Sequence, residues 1–295
     1  MTLKNRPVNW RTSLFLSTLL LVTAVKGHAG ETDTFVVTDL TGHLTAERQR
    51  TLTRQAQTQL DQVLRFYDER SRVEQFGKIH LEFDQPRKGI YATVFLMESQ
   101  GRGKARVVRV FGAEQEPQQL AHKLTHASFP SPDKLIRNMM GIPMEMRYGN
   151  PLSFPLCGYR AADWVTAFRQ NKAYIPLAEL GPHHEQWGMT TENGVPVTRN
   201  RARQHIMYAE SAAFGDYLLQ TYGAERMKRF WRESKGGKRP WEDVFGSSLP
   251  QLEAAWLGDL AARKSDEQTV RMLLGLFQHN PREACTEAQM KSARR

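Results

Sequence analysis

The chain has 295 residues, 40% of them hydrophobic and 24% charged, which suits one large folded domain. Lysine and arginine outnumber aspartate and glutamate by 41 to 31, but the basic residues are spread along the chain, and this argues against nucleic acid as a partner. The sequence contains no glycine-rich phosphate loop, no Ser-His-Asp pattern and no cofactor fingerprint.

The first 29 residues are typical of a secretory signal peptide. Basic residues at Lys4, Arg6 and Arg11 precede a short apolar stretch, and a small-x-small cleavage motif ends at Ala29. An uncleaved anchor is the alternative, but the stretch is short for a membrane span. We expect cleavage to leave a protein of net charge +6 (37 basic against 31 acidic residues) without stable membrane insertion. It would be secreted, and periplasmic in a Gram-negative bacterium.

The first half of the mature chain predicts a small sheet and two helices. Alternating or β-branched runs predict strands at residues 34–40, 78–83, 91–97 and 105–111. Apolar residues at helical spacing predict a helix over residues 44–67, and a second helix carries the pentapeptide HKLTH, which begins at His122. This order predicts an α+β fold with a mostly antiparallel sheet.

The second half is predicted to be helical. Helices are expected over residues 160–170, 201–222, 224–233, 248–262 and 265–277, with a polar loop over residues 181–200 and a disordered tail over residues 281–295. We therefore divide the chain into a signal peptide (1–29), one domain (30–264) and a C-terminal helix and tail (265–295).

The pentapeptide HKLTH carries the strongest chemical signal. His122 and His126 are four residues apart, so they share one face of a helix and can hold one metal ion. In the zinc-peptidase motif H-E-x-x-H, the glutamate takes a proton from the metal-bound water, and here Lys123 occupies its position. Two ordinary helix histidines are the alternative interpretation.

Three motifs in the same order extend this likeness. The segments are QLAHKLTHA from Gln119, YAESAAF from Tyr208, and FGSSL with LEAAW from Phe245. Together they resemble the gluzincin superfamily of zinc metallopeptidases, in particular the peptidase-MA-like group, over roughly residues 34–262. The resemblance implies a small sheet, a histidine helix, and an all-helical half that carries a glutamate ligand for zinc.

The segment that corresponds to the third zinc ligand of the family also departs from the family pattern, as Lys123 does. Aligning IPMEMRYGN on Pro143 and Gly149 places Tyr148 at the ligand position, whereas the distance from His126 favours Glu145. Glu145 and Tyr148 would share a helix face at i, i+3. Zinc would then be held by His122, His126 and Glu145, by the two histidines alone, or not at all.

Lys123 changes the chemistry that such a site can perform. A lysine ammonium about 5 Å from zinc would repel it by roughly 6–7 kcal/mol at an effective dielectric of 20. A neutral Lys123 could act as an atypical base, or its ammonium could replace the metal between the histidines and Glu145 or Glu210, or it could simply reach solvent. Tyr208 is either a core residue or an oxyanion-stabilising group.

The two cysteines predict a disulfide. Cys157 and Cys285 are the only cysteines, and an even pair in an oxidising compartment favours a bridge over two buried thiols.

The leading functional hypothesis is an exported, catalytically degenerate metallopeptidase that uses its old cleft to bind a peptide, protein or cell-wall ligand. The alternatives are an active zinc hydrolase with an atypical base and a zinc-binding protein without catalysis.

Overall fold

The computed structural model describes residues 29–69, 77–86, 92–99, 103–113, 117, 119–192, 195–263 and 265–293. Apart from Ala29, the segment predicted to be a signal peptide lies outside the described residues. No helix of the described ranges is both long enough and apolar enough to cross a membrane.

The α+β class is confirmed. A five-stranded sheet lies in the N-terminal half, in the spatial order β1-β2-β3-β5-β4. Its strands are β1 (Ala29–Glu31), β2 (Phe35–Asp39), β3 (Ile79–Asp84), β4 (Ala92–Ser99) and β5 (Gly103–Phe111).

The prediction of a mostly antiparallel sheet is wrong. The three central strands β2, β3 and β5 are parallel, and only the edge strands β1 and β4 run antiparallel to their neighbours. β5 lies between β3 and β4, pairing Arg106 with Ile79 on one side and Val110 with Ala92 on the other. Alternation of apolar and polar residues locates a strand but does not tell which strand it pairs with. Three successive strand-like runs were therefore expected to pair antiparallel in chain order.

Helix α1 (Ala46–Phe66) connects the parallel strands β2 and β3, as such a connection requires. Thr45 caps the helix by accepting a hydrogen bond from the Arg48 N–H. One face is buried, formed by Leu52, Ala56, Gln59, Leu60, Val63 and Leu64. This face packs against the helix that carries the histidines, so α1 supports the candidate site from behind.

The predicted helices of the second half are confirmed within a few residues. The helices that follow the sheet are α2 (Leu120–Ser128), α3 (Lys134–Tyr148), α4 (Ala161–Gln170), α5 (Arg201–Glu233), α6 (Trp241–Phe245), α7 (Leu249–Ala262), α8 (Glu267–His279) and α9 (Ala284–Ser292). Gly223 interrupts α5 with a φ of 82°, so the break predicted there is present.

Two segments predicted to be irregular are ordered. The polar stretch 181–200 contains a 3₁₀ turn, Glu185–Trp187, and a hairpin of β6 (Met189–Glu192) and β7 (Val195–Thr198). Trp187 is buried and donates a hydrogen bond to the Gly181 carbonyl at 2.7 Å. The buried Trp187 side chain thus holds the polar segment 181–200 in an ordered structure where a loop was expected.

The predicted disulfide between Cys157 and Cys285 is confirmed, with the two Cα atoms 5.3 Å apart. It joins α9 to the turn that precedes α4, and Gln289 adds a hydrogen bond to the Leu152 carbonyl at 2.6 Å. These contacts explain why the predicted tail is a docked helix.

Candidate functional site

Helix α2, which carries HKLTH, has no side-chain cap of its own. It begins after Gln119, whose φ of 60° lies in the left-handed region. The Glu145 carboxylate of α3 supplies the missing acceptors: Oε1 accepts from the Gln119 N–H and Oε2 from the His122 N–H, both at 3.0 Å. An anion is stabilised at this end of a helix by unpaired N–H groups and the helix dipole.

Glu145 is thereby fully engaged. Its Oε1 also accepts from the Ser153 hydroxyl at 2.6 Å and from the Asn150 N–H at 3.0 Å. Burial raises the pKa of Glu145, and these hydrogen bonds oppose that effect because they stabilise the carboxylate. Tyr148, the other candidate for the third ligand, packs edge-on against Phe66 of α1 at 6.5 Å between ring centroids.

The two histidines lie together, as their spacing predicted. The ring centroids of His122 and His126 are 4.3 Å apart in an edge-on arrangement. The Nε2 atom of His122 is 3.2 Å from Asn138 Oδ1, and His126 Nε2 donates to the Arg137 carbonyl at 3.0 Å. Burial lowers the pKa of both rings well below the usual value, so both are neutral at pH 7.

Helix α3 covers the two rings. A Cβ atom built on Gly141 would lie 2.4 Å from His122 Cδ2 and 2.9 Å from His126 Nε2, so only glycine allows this approach. Zinc needs one ring nitrogen with a free lone pair from each histidine, and a third ligand. A hydrogen bond from the other ring nitrogen to a carbonyl is compatible with metal binding, so the third ligand decides the question. The Glu145 carboxylate is held by the amides of Gln119 and His122, and in the part of the chain that the structure describes His122, His126 and Glu145 do not bring three ligand atoms within 4.8 Å of one another. In this arrangement the three predicted ligands do not converge on a zinc ion.

Among the described residues, one group of His, Cys, Asp and Glu side chains has three ligand atoms within 4.8 Å of one another: Cys157, His205 and Cys285. The two sulfur atoms are bonded to each other in the disulfide, so neither offers a thiolate to a metal. His205 packs edge-on against Trp164 and contacts the Pro155 carbonyl through Nε2 at 3.1 Å.

Three cations lie close to the histidine pair. We call Lys123, Lys134 and Arg137 the cation cluster. Lys134 is only 3% exposed, and its Nζ donates to the Tyr208 hydroxyl and to Met189 Sδ, both at 3.1 Å. The same ammonium lies over the aromatic rings of Trp187 and Tyr208, 5.4 and 5.1 Å from their centroids.

Lys123 points into the same region. Its side chain is 9% exposed, and burial lowers its pKa to about 8, with the charges of Lys134 and Arg137 acting in the same direction. No carboxylate oxygen of the described residues lies within 4.0 Å of its ammonium. Glu210, one of the two acids expected beside it, instead accepts the Ile175 N–H at 2.9 Å.

Two further polar atoms face this region without partners. Arg137 Nε and His184 Nδ1 are both buried and accept or donate no hydrogen bond within the part of the chain that the structure describes. Burial lowers the pKa of His184 to about 4, and the charges of Lys134 and Arg137 lower it further. Asp133, the acid next to Lys134 in sequence, is bound by Arg239 at 2.7 Å.

Tyr208 belongs to the buried core. Its ring is buried and packs edge-on against Trp187 at 5.4 Å, and its hydroxyl accepts the hydrogen bond from Lys134. The expectation of a core position is therefore confirmed, and a role with an oxyanion stays a prediction.

Sequence reasoning missed the parts of the site that lie on α3. Lys134 and Arg137 flank the apolar pair Leu135 and Ile136, and all of them follow the helix cap Asp133. The available signal was the position of Lys134 and Arg137 on either side of an apolar pair, because lysine is almost never fully buried unless it is paired.

Comparisons of the chain with protein-family models, with curated proteins and with solved structures found no match. The likeness to gluzincins therefore rests on the three motifs alone and stays a prediction.

Proposed function

We propose that this chain is an exported protein of gluzincin-like ancestry that binds a ligand in the cleft beside the HKLTH helix and does not hydrolyse it. The ligand would be a peptide, a protein or a cell-wall polymer. The observation that carries the proposal is the replacement of the zinc machinery by lysine and arginine. Lys123 takes the position of the base, and Lys134 and Arg137 accompany it.

Loss of hydrolysis follows from the contacts of the expected ligands. Peptide hydrolysis by this route needs a metal-bound water and a base that takes its proton. The Glu145 carboxylate is committed to the N–H groups of Gln119 and His122 at the start of α2, and the α3 backbone at Gly141 lies against the histidine rings. A ligand bound beside the HKLTH helix would meet ammonium groups in place of a zinc-bound water.

An active hydrolase is the second candidate, and one observation favours it. Burial lowers the pKa of Lys123 to about 8, so a substantial fraction of the amine is neutral in mildly alkaline solution and able to accept a proton. Hydrolysis with Lys123 as the base needs a nucleophile that lysine could activate, such as a water beside the Tyr208 hydroxyl.

Turnover assays separate the two candidates. We expect no cleavage of casein or of a mixed peptide library by the wild-type protein, with or without added zinc, at pH 7 or pH 9. Lys123→Ala and Lys123→Glu should be equally inactive. Wild-type turnover that Lys123→Ala abolishes would establish the hydrolase instead.

Export is supported by the N-terminal pattern and by the disulfide, since bridges persist in oxidising compartments. Expression of the full chain in a Gram-negative host should yield a periplasmic product that begins at Gly30. A cytoplasmic product that begins at Met1 would contradict export and leave the binding proposal to be judged on its own.

A further inference from the structure

We propose that the cation cluster is a binding site for an oxyanion, a phosphate or carboxylate group of the ligand. The inference rests on the proposed function because it assigns the ligand chemistry of the same cleft. Lys123, Lys134 and Arg137 would contact the anion, with the Tyr208 hydroxyl and His184 at its side.

The cation cluster has no acid in direct contact. Lysine and arginine are rarely this buried unless they are paired. For Lys123, Lys134 and Arg137 no carboxylate of the described residues lies within ion-pair distance. Glu145 acts on Lys123, and Asp133 on Arg137, only from farther away, so none of the three positive charges has a direct ion-pair partner among these residues.

Two other cations of low exposure pair with acids. Lys228 is 5% exposed, and its Nζ contacts Glu225 at 2.8 Å and donates to the Tyr67 carbonyl at 2.8 Å. Arg239 is bound to Asp133 through two hydrogen bonds of 2.7 and 3.1 Å. The cation cluster has no such acid within ion-pair distance among the described residues, so an anion from outside the chain would supply what Lys228 and Arg239 find within it.

Three elements of the fold bring the cation cluster together. Lys134 and Arg137 are three residues apart on α3 and so share one face. The Lys134 N–H donates to the Pro182 carbonyl at 3.1 Å, which holds the segment of His184 against the start of α3. The hydrogen bond from His126 to the Arg137 carbonyl holds α2, with Lys123, on another side.

The cation cluster has donor groups that need acceptors. Lysine and arginine can only donate, and the buried Nε of Arg137 has no acceptor among the described residues. Arginine presents a planar fork that matches two oxygens of a phosphate or carboxylate, whereas lysine contributes a mobile point charge. A group with several acceptor oxygens and a negative charge would satisfy all of these donors at once.

The protonation of Lys134 makes anion binding pH-dependent. Burial lowers the pKa of Lys134 to about 7, and a bound anion would raise this pKa again. The groups around it are Lys123, Arg137, His184 and the Tyr208 hydroxyl, and the carboxylates of Asp133 and Glu145 act on the cluster from beyond ion-pair distance. Anion binding should therefore take up protons, and the affinity should fall as the pH rises from 6 to 9.

Calorimetric titration of the full, disulfide-intact protein with inorganic phosphate and, separately, with citrate tests the site. We expect saturable binding of at least one of them at low ionic strength and pH 6, weaker binding at pH 9, and none with chloride. Lys134→Met and Lys123→Met should each reduce the affinity roughly tenfold to a hundredfold, the value of one charge-assisted hydrogen bond. Methionine keeps the length of the buried side chain, so both variants should fold.

Lys238→Met removes an exposed lysine from the loop before α6 and is the matched control. Its affinity should equal that of the wild type. Absence of saturable binding of both anions to the folded wild type would overturn the proposal, as would binding that neither Lys134→Met nor Lys123→Met weakens. Failure of the proposed function would look different, because it would appear as peptide turnover.

Discussion

Glu145 shows how a single carboxylate can serve a neighbouring helix. Its two oxygens accept four hydrogen bonds, and two of these come from the N–H groups of Gln119 and His122 at the start of α2. The histidine helix begins without a cap from its own sequence, so α3 fixes its position through this residue. A metal ligand in the same place would have left the buried His122 N–H without this acceptor, whereas the Gln119 N–H would keep its hydrogen bond to Ser153 Oγ at 2.9 Å.

Glu145→Ala should therefore destabilise the fold without any metal being present. Leaving buried donors unsatisfied costs about 1–3 kcal/mol for each group, so we expect a loss of about 3 kcal/mol in the free energy of unfolding, measured with urea. Glu267→Ala, at a side chain that is 87% exposed, should change it by less than about 0.5 kcal/mol. Equal effects of the two substitutions would refute the capping role.

Lys134 makes the stability depend on pH. Burial lowers its pKa from 10.5 to about 7, so between these values the unfolded chain binds more protons than the folded chain. The free energy of unfolding should then rise with pH in that window, by about 2 kcal/mol from pH 7 to pH 9. Lys134→Met should remove this part of the rise in urea unfolding curves, and an identical rise in both proteins would contradict the account.

At the scale of elements, the contact between α2 and α3 defines the site. Gly141 lets the α3 backbone lie against both imidazoles, and Gly215 plays the same role where α5 crosses Met139 of α3. The histidine helix is thus enclosed by α1, α3 and the sheet, and its two rings are packing surfaces as well as polar groups.

Gly141→Ala tests this contact against a matched glycine. A Cβ at Gly141 would overlap His122, and overpacking of this kind costs typically about 1–3 kcal/mol. Gly275→Ala in α8 meets nothing within 4 Å and should stabilise the protein by roughly 0.5–1 kcal/mol through helix propensity. Stabilisation of both variants in thermal unfolding would contradict the close contact between the α3 backbone and the two histidine rings.

Much of this architecture could be predicted from local patterns. Helical spacing located α1, α4 and α7, and the strand runs located β2 and β3. The order of strands in the sheet could not be predicted, because alternation does not tell a strand which neighbour it has. For the same reason, the spacing of Glu145 and His126 could place both on facing helices but could not tell which atoms the carboxylate would meet.

At the scale of the molecule, the disulfide joins the C-terminus to the centre of the helical half. Cys157 and Cys285 are 128 residues apart, and α9 also packs on α8 through the buried side chains Ala284 and Ala288. The even cysteine count predicted the bridge, but the short apolar face of α9 was too weak a signal to predict the helix.

Cys157→Ser combined with Cys285→Ser should lower the free energy of unfolding by about 2–5 kcal/mol, because the unfolded chain regains the freedom of a long loop. Guanidinium unfolding followed by circular dichroism measures the loss. Wild-type protein reduced with dithiothreitol should show the same midpoint as the double variant. An unchanged midpoint in both would show that the bridge contributes nothing to the fold.

We propose that the histidine pair of HKLTH is a packed structural feature beside the cation cluster and does not hold zinc. Zinc stoichiometry tests this most directly, by equilibrium dialysis of the disulfide-intact protein against a small excess of zinc and elemental analysis. The account predicts far less than one zinc per chain, with the same content in His126→Gln. One zinc per chain in the wild type, lost in His126→Gln, would contradict it.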